Sequence, residues 1–235
     1  MTFIGVCQKK QLAGVTLYLR SFHRHEFIEP RDTAQISLPK SLCNAALKRK
    51  AEFVAGRVAA NDALCVLGYT DFSIAIGEHR SPCWPGAVVG SISHSDDIAV
   101  AVAGAKADWQ GLGVDVQARL TQDDLEAVNG VIATPHEHAL LSLLDTPLAE
   151  QLTLIFSAKE SVFKALYPRV KRYLDFSDAT LVCASQNQLT FRLSHALTLE
   201  LGLATCRCDY LWNSHHVITL VTLPCDLESP RDGAQ

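Results

Sequence analysis

The run from Leu148 to Leu166 repeats its apolar residues at helical spacing. Leu148, Leu152, Ile155, Val162 and Leu166 fall in one stripe on a wheel that turns about 100° per residue. The pattern predicts a helix that starts after Thr146-Pro147 and stops at Tyr167-Pro168, where proline removes an N–H. Thr134-Pro135-His136-Glu137 reads as a capping box with proline at the first helical position, so a second helix is predicted there. A long helix is predicted from Asn44 to Leu67, with Gly68 as its stop. VTLYL at 15–19, Ile98 to Ala103 and Gly113 to Val116 read as strands. Five further strand-like runs follow the proline: TLVCAS, QLTFRLS, LTLEL, TCRCDYLW and HHVITLVTL. Pro82, Pro85 and Gly86 mark a loop before VVGSISHS, and the Ser-His pair inside GSISHS is itself assigned to a loop. Each half thus combines one long helix with strands, and GLGVDVQ stands at the join. An α+β chain of two α/β lobes is expected, over 1–110 and 111–225, with a polar tail over 226–235.

Composition narrows the class. The chain has 235 residues, of which 48% are hydrophobic and 20% charged, the proportions of a globular protein. A net charge of −4 argues against a general nucleic-acid binder. No apolar run reaches the roughly 18 residues that a membrane span needs. MTFIGVCQKK has no basic stretch followed by an apolar one, so a cytoplasmic protein is expected. None of the eight cysteines forms a C-x-x-C pair, and free thiols in a reducing compartment are expected rather than a zinc site.

Four features carry candidate chemistry. In FSAKESVFKAL, Lys159 falls inside the apolar stripe, while Phe156, Glu160, Phe163 and Lys164 lie together on its flank. A lysine in such a seam needs a counter-charge or acceptors. In GVDVQ, Asp115 and Gln117 are two apart on a strand and point the same way. Asp115 with Glu160 would supply the one or two carboxylates through which magnesium is usually held. In GSISHS, small and hydroxyl residues allow close approach to a phosphate, with Ser93 and His94 as donors. In LKRKAEFVAGR, Arg49, Phe53 and Arg57 share one helix face, and arginine suits bidentate phosphate contacts. Each feature alone is equally readable as ordinary surface or packing.

Together and in this order, KRKAEFVAGRVAA, RSPCWPGAVVGSISHS, GVDV and FSAKESVFKALYP followed by LDFSDA resemble the 4′-phosphopantetheinyl transferases. The resemblance is to the two-lobed surfactin type, and within it to the enterobactin synthetase component D subgroup. It covers roughly residues 45 to 185 and implies two pseudo-symmetric lobes with the active site in the cleft between them. It implies Asp115, Glu160 and the position of Gln117 as the Mg2+ site, with Glu160 also drawing the proton from the acceptor serine. It implies Lys164 at the pyrophosphate, and Lys159, Ser93, His94, Arg49, Arg57 and Arg80 around coenzyme A. The partner it implies is an apo acyl, aryl or peptidyl carrier protein, and a monomer is expected. Two positions depart from the usual pattern: Phe156 replaces a tryptophan, and Gln117 replaces a third acid. A magnesium-dependent phosphohydrolase and a non-catalytic coenzyme A-binding module are the alternatives. A basic stretch, Arg169, Lys171 and Arg172, is a candidate lip for steering the carrier.

Overall fold

The computed structural model describes residues 2–34, 36–121, 123–125 and 130–225. The expected tail over 226–235 lies outside them. Two antiparallel sheets form the frame. The first has the order β1-β2-β6-β5, from β1 (Gln8–Leu12), β2 (Val15–Ser21), β5 (Val88–Ser95) and β6 (Ile98–Ala105). The second has the order β7-β11-β10-β9-β8, from β7 (Trp109–Ala118), β8 (Ala179–Ala184), β9 (Gln188–Leu193), β10 (Thr205–Trp212) and β11 (His216–Pro224). A two-strand ribbon, β3 (Ala75–Ile76) with β4 (Pro82–Cys83), completes the set. Among the described residues the helices of seven residues or more are α1 (Leu47–Val66), α2 (Pro135–Leu141), α3 (Leu148–Val170) and α4 (His195–Leu201). The chain is an α+β protein of two lobes, as the sequence predicts.

Strand periodicity explains how the lobes are joined. β6 is buried on both faces, which is why IAVAVAGA shows little polar alternation. Ala99 and Ala101 face α1, with Val54, Ala55 and Ala59. Val100 and Val102 face the other way and join Leu17, Leu19, Val114, Val116, Ile218 and Leu220 in an apolar layer between the two sheets. β7 repeats the division. Leu112, Val114 and Val116 enter that layer, whereas Gly111, Gly113 and Asp115 face α3.

The two glycines set the distance of α3. A Cβ on Gly113 would stand 2.0 Å from the Ser161 carbonyl oxygen, and one on Gly111 2.3 Å from that of Ala165. Only bare backbone lets the helix lie this close to the strand.

The capping box forms as predicted: Thr134 Oγ1 accepts from the Glu137 N–H, and Glu137 Oε2 accepts from the Thr134 N–H. Three expectations are corrected. LTLEL lies in a helix, α4, because Ser194 caps it and Gly202 ends it in the left-handed region; Leu197 and Leu201, one turn apart, are buried together. GSISHS is not a loop but most of β5, paired along its length with β6. α3 runs through Pro168 to Val170, because a proline that close to the helix end removes little of the bonding ladder. Among the described residues no single helix is long and apolar enough to cross a membrane.

Candidate active site

β5 is the edge of the first sheet and β7 the edge of the second, and they meet through side chains. Ser91, Ser93 and Ser95 share one face of β5. Ser91 Oγ donates to the Val114 carbonyl (3.4 Å), Ser93 Oγ to Asp115 Oδ1 (2.6 Å), and Ser95 Oγ accepts from the Ala118 N–H (3.1 Å). Lys164 reaches over this seam from α3. Its ammonium donates to Asp115 Oδ1 (2.6 Å), Ser93 Oγ (3.1 Å) and the Val114 carbonyl (3.2 Å). The second carboxylate oxygen, Asp115 Oδ2, accepts from Ser157 Oγ at 2.8 Å. Asp115 is 5% exposed, and its carboxylate is held by three side chains from two elements, Ser93 of β5 and Ser157 and Lys164 of α3.

Glu160 lies one turn from Ser157 and Lys164 on α3, on the flank that the wheel predicts. Burial raises its proton affinity above the usual carboxylate range; Lys164 opposes the shift and Asp115 adds to it. Two carboxylates near enough to sense one another, flanked by an ammonium, thus stand at the seam. Magnesium suits this donor set, since it commonly uses one or two carboxylates and leaves its other positions to water and phosphate. A closed cage is not available: among the described residues no three His, Cys, Asp or Glu side chains cluster. Gln117 shares the Asp115 face of β7 and brings an amide in place of a third charge.

A cleft of about 820 Å³ opens beside Lys164. Five cations line it, Arg80, Lys106, Lys164, Arg169 and Lys171, against one carboxylate, Glu78. In a chain of net charge −4 this is a concentrated positive surface. The turn that carries Arg80 is unusual. His79 (φ 51°) and Arg80 (φ 64°) are both left-handed, a conformation that non-glycine residues adopt only when held. His79 Nδ1 lies 2.9 Å from the Tyr167 hydroxyl, which donates to the Glu78 carbonyl (3.1 Å). The His79 ring also packs on Tyr173 with centroids 4.5 Å apart, so the two lobes touch across the cleft mouth.

The remaining predicted residues divide. Ser93 and His94 point to opposite faces of β5, as strand geometry requires. His94 Nε2 accepts from Arg49 Nη1 at 3.1 Å, which makes it the neutral tautomer with its proton on Nδ1 facing Glu52, 3.9 Å away. Burial pushes its pKa down, opposed by Glu52 and helped by Arg49, consistent with the neutral ring.

Arg57 and Lys159 both find partners within the protein. Arg57 is buried, donates to the Ile74 carbonyl (2.8 Å) and stacks on Phe53 (4.5 Å). Burial lowers its pKa to about 10. Lys159 is 5% exposed; it pairs with Glu137 (2.9 Å) and donates to the carbonyls of Ile132 (2.9 Å) and Phe176 (3.1 Å). The counter-charge that a seam lysine needs is therefore Glu137, which the sequence shows only as a capping residue. Glu137 is fully buried and also accepts from the Leu181 N–H at 2.9 Å. Sequence reading likewise missed Ser157, Thr219 and the His79–Tyr167–Tyr173 contact, none of which has a local signature.

Comparison with known proteins shows the family. The family profile of the 4′-phosphopantetheinyl transferase N-terminal domain matches residues 38–104, and that of the 4′-phosphopantetheinyl transferase superfamily matches 111–221. The chain is 33% identical over 222 residues to enterobactin synthase component D of Salmonella typhi, covering 93% of this chain and 92% of that protein. It is 40% identical over 153 residues to the protein of the same name from Escherichia coli K12, covering 65% of this chain and 71% of the relative. It is 34% identical over 132 residues to the 4′-phosphopantetheinyl transferase Npt of Nocardia iowensis, covering 56% and 58%. The chain belongs to the 4′-phosphopantetheinyl transferase superfamily.

Proposed function

We propose that the protein moves the 4′-phosphopantetheine of coenzyme A onto a serine of an apo carrier protein, with Asp115, Glu160 and Lys164 at the reacting phosphate. The observation that carries this is the Lys164–Asp115–Ser93 cluster, whose Lys164 also lines a five-cation cleft and whose charges reach Glu160. The serine oxygen forms a bond to the phosphorus that bears pantetheine, the bond from that phosphorus to the bridging oxygen breaks, and 3′,5′-ADP leaves with the electron pair. Glu160 suits the proton acceptor, because burial and Asp115, against the opposing Lys164, raise its basicity above the usual carboxylate range. Lys164 faces the charge that develops on the diphosphate, in a partly buried site where such a contact is strong. Arg80, Lys106 and Arg49 suit the nucleotide side. Asp115 and Glu160 would hold magnesium, with Gln117 accepting from or donating to a metal-bound water. Magnesium, when bound, supplies charge neutralisation at the diphosphate.

The names of the relatives favour a carrier of siderophore or other nonribosomal peptide assembly. A cytoplasmic monomer fits the reading. Of the basic stretch at the end of α3, Arg169 is engaged by Gln110 and the Leu201 carbonyl, and Arg172 by Glu200 (2.6 Å), which leaves Lys171 at the cleft rim for steering.

Incubation with coenzyme A, magnesium and an apo carrier should add one phosphopantetheine mass to the carrier. Asp115→Ala and Glu160→Ala should each nearly abolish that gain. Release of inorganic phosphate without carrier modification would instead make the protein a phosphohydrolase. Near-parent turnover by either variant would remove these residues from the site.

A further inference from the structure

Behind Asp115 lies a set of buried hydroxyls that the reading above does not use. The β7–β11 register places Thr219 directly opposite Asp115, so both side chains lie on the face that meets α3. Ser157 and Ser161, one helical turn apart, come down onto the same spot. All three are 0% exposed. Ser157 Oγ is 2.8 Å from Asp115 Oδ2 and 3.0 Å from Thr219 Oγ1; Ser161 Oγ is 2.7 Å from Thr219 Oγ1. Thr219 Oγ1 is also 2.9 Å from the Ser157 carbonyl.

The bond nearest Asp115 has one possible direction. A carboxylate oxygen can only accept, so the Ser157 proton goes to Asp115. Ser157 Oγ, its proton committed, can then only accept from Thr219, whose hydroxyl also has the Ser157 carbonyl within reach, while Ser161 Oγ has both Thr219 Oγ1 and the Thr219 carbonyl (3.1 Å) as partners. The three hydroxyls thus form one connected row that ends on Asp115 Oδ2, and bonds in such a row strengthen one another. The close approach permitted at Gly113 is what allows the row to form, because Ser161 presents its carbonyl to that glycine.

We propose that Ser157 and Thr219 are positioning residues for the transfer reaction. Ser157 fixes Asp115 Oδ2, and Thr219 fixes Ser157, so that Oδ1 alone is turned to Ser93 and Lys164. The inference rests on the role of Asp115 proposed above. A carboxylate with both oxygens assigned does not rotate between states, and it reaches a cation or diphosphate already oriented.

Thr219→Val tests this with little change of volume, and Ser157→Ala removes the direct contact. The readouts are Mn2+ affinity in the presence of coenzyme A, followed by electron paramagnetic resonance, and the separate kcat and KM for an apo carrier. Thr219→Val is expected to weaken Mn2+ binding by roughly fivefold, and Ser157→Ala by roughly tenfold or more, as loss of a bond to a charged group implies. In both variants kcat should fall while KM for the carrier stays within about twofold. Thr219→Ser returns the hydroxyl and should restore metal affinity, which a packing role for the threonine methyl would not do. A folded Thr219→Val protein with parent Mn2+ affinity and kcat overturns the proposal, even if its melting temperature has dropped. Should the parent itself modify no carrier, the functional reading falls and this inference with it; a competent parent with indifferent variants refutes the inference alone.

Discussion

Gly113→Ala is the smallest change that should dismantle the site. The added methyl would stand 2.0 Å from the Ser161 carbonyl oxygen, 2.5 Å from the Ala165 amide nitrogen and 2.9 Å from the Ala165 Cβ. Two of these obstacles are helix backbone and cannot swing aside. Ordinary contact begins near 3.4 Å, so α3 must retreat from β7 by about 1 Å or more. Overpacking typically costs about 1–3 kcal/mol, and a backbone obstacle belongs at the upper end. For a chain of this size roughly 3 kcal/mol lowers the melting temperature by about 6–12 °C. The same retreat stretches the bonds from Lys164 (2.6 Å) and Ser157 (2.8 Å) to Asp115. A misplacement of about 1 Å at reacting groups commonly costs on the order of 100-fold in rate. Gly86→Ala is the control, since a Cβ there meets nothing within 4 Å and the backbone is not left-handed. Thermal melts and carrier mass gain would be followed for both. The reasoning is refuted if Gly113→Ala melts and turns over like the parent.

Glu137→Gln should cost about 3 kcal/mol at neutral pH, as breaking a buried pair does. Burial pushes this carboxyl up, but the Leu181 and Thr134 N–H groups and Lys159 together hold it below the usual range. A group so lowered contributes stability above its unfolded pKa, which is lost as pH falls through its folded value. The gap between parent and variant in urea melts should therefore narrow below about pH 4.5 and be constant above it. Arg57→Met should lower the melting temperature by removing the bond to the Ile74 carbonyl, while KM for coenzyme A changes by less than about twofold; a tenfold rise in KM would return Arg57 to the binding surface. Gln117→Glu should tighten magnesium binding by adding a charge on the Asp115 face, and an unchanged metal titration would place Gln117 away from the cation. Lys171→Glu should slow carrier modification at low salt, with the loss shrinking as salt rises; a loss independent of salt would exclude steering.

What could be read in advance followed from local chemistry. The Thr134 capping box, the stripe of α3 and the buried run of β6 each depend on residues within a few positions of one another. The length of LTLEL did not separate strand from helix, because five residues with leucine at every second position also place Leu197 and Leu201 one turn apart. Proximity of the motifs was legible as a resemblance, yet the division of labour among basic residues was not. Arg49 and Arg57 share a helix face, but only Arg49 meets His94, because Ile74 offers Arg57 a carbonyl from a loop far along the chain. Lys159 and Lys164 are five residues apart and serve opposite sides of α3, one a buried joint between chain segments and one the seam of the candidate site. Such assignments depend on long-range partners, which spacing alone does not contain.

The serine ladder between β5 and β7 has a consequence for how the protein is made. β5 and β7 are edge strands of eight and ten residues, and each covers the other. An uncovered edge with an apolar face is a template for pairing with other chains. During synthesis the first sheet is complete once β6 has emerged, but β7 gains its own sheet partner only with β11, the last strand. The nascent first lobe therefore waits, its edge uncovered, until β11 has left the ribosome. Expressed without the second lobe, it should collect in inclusion bodies or on chaperones rather than accumulate as a soluble half.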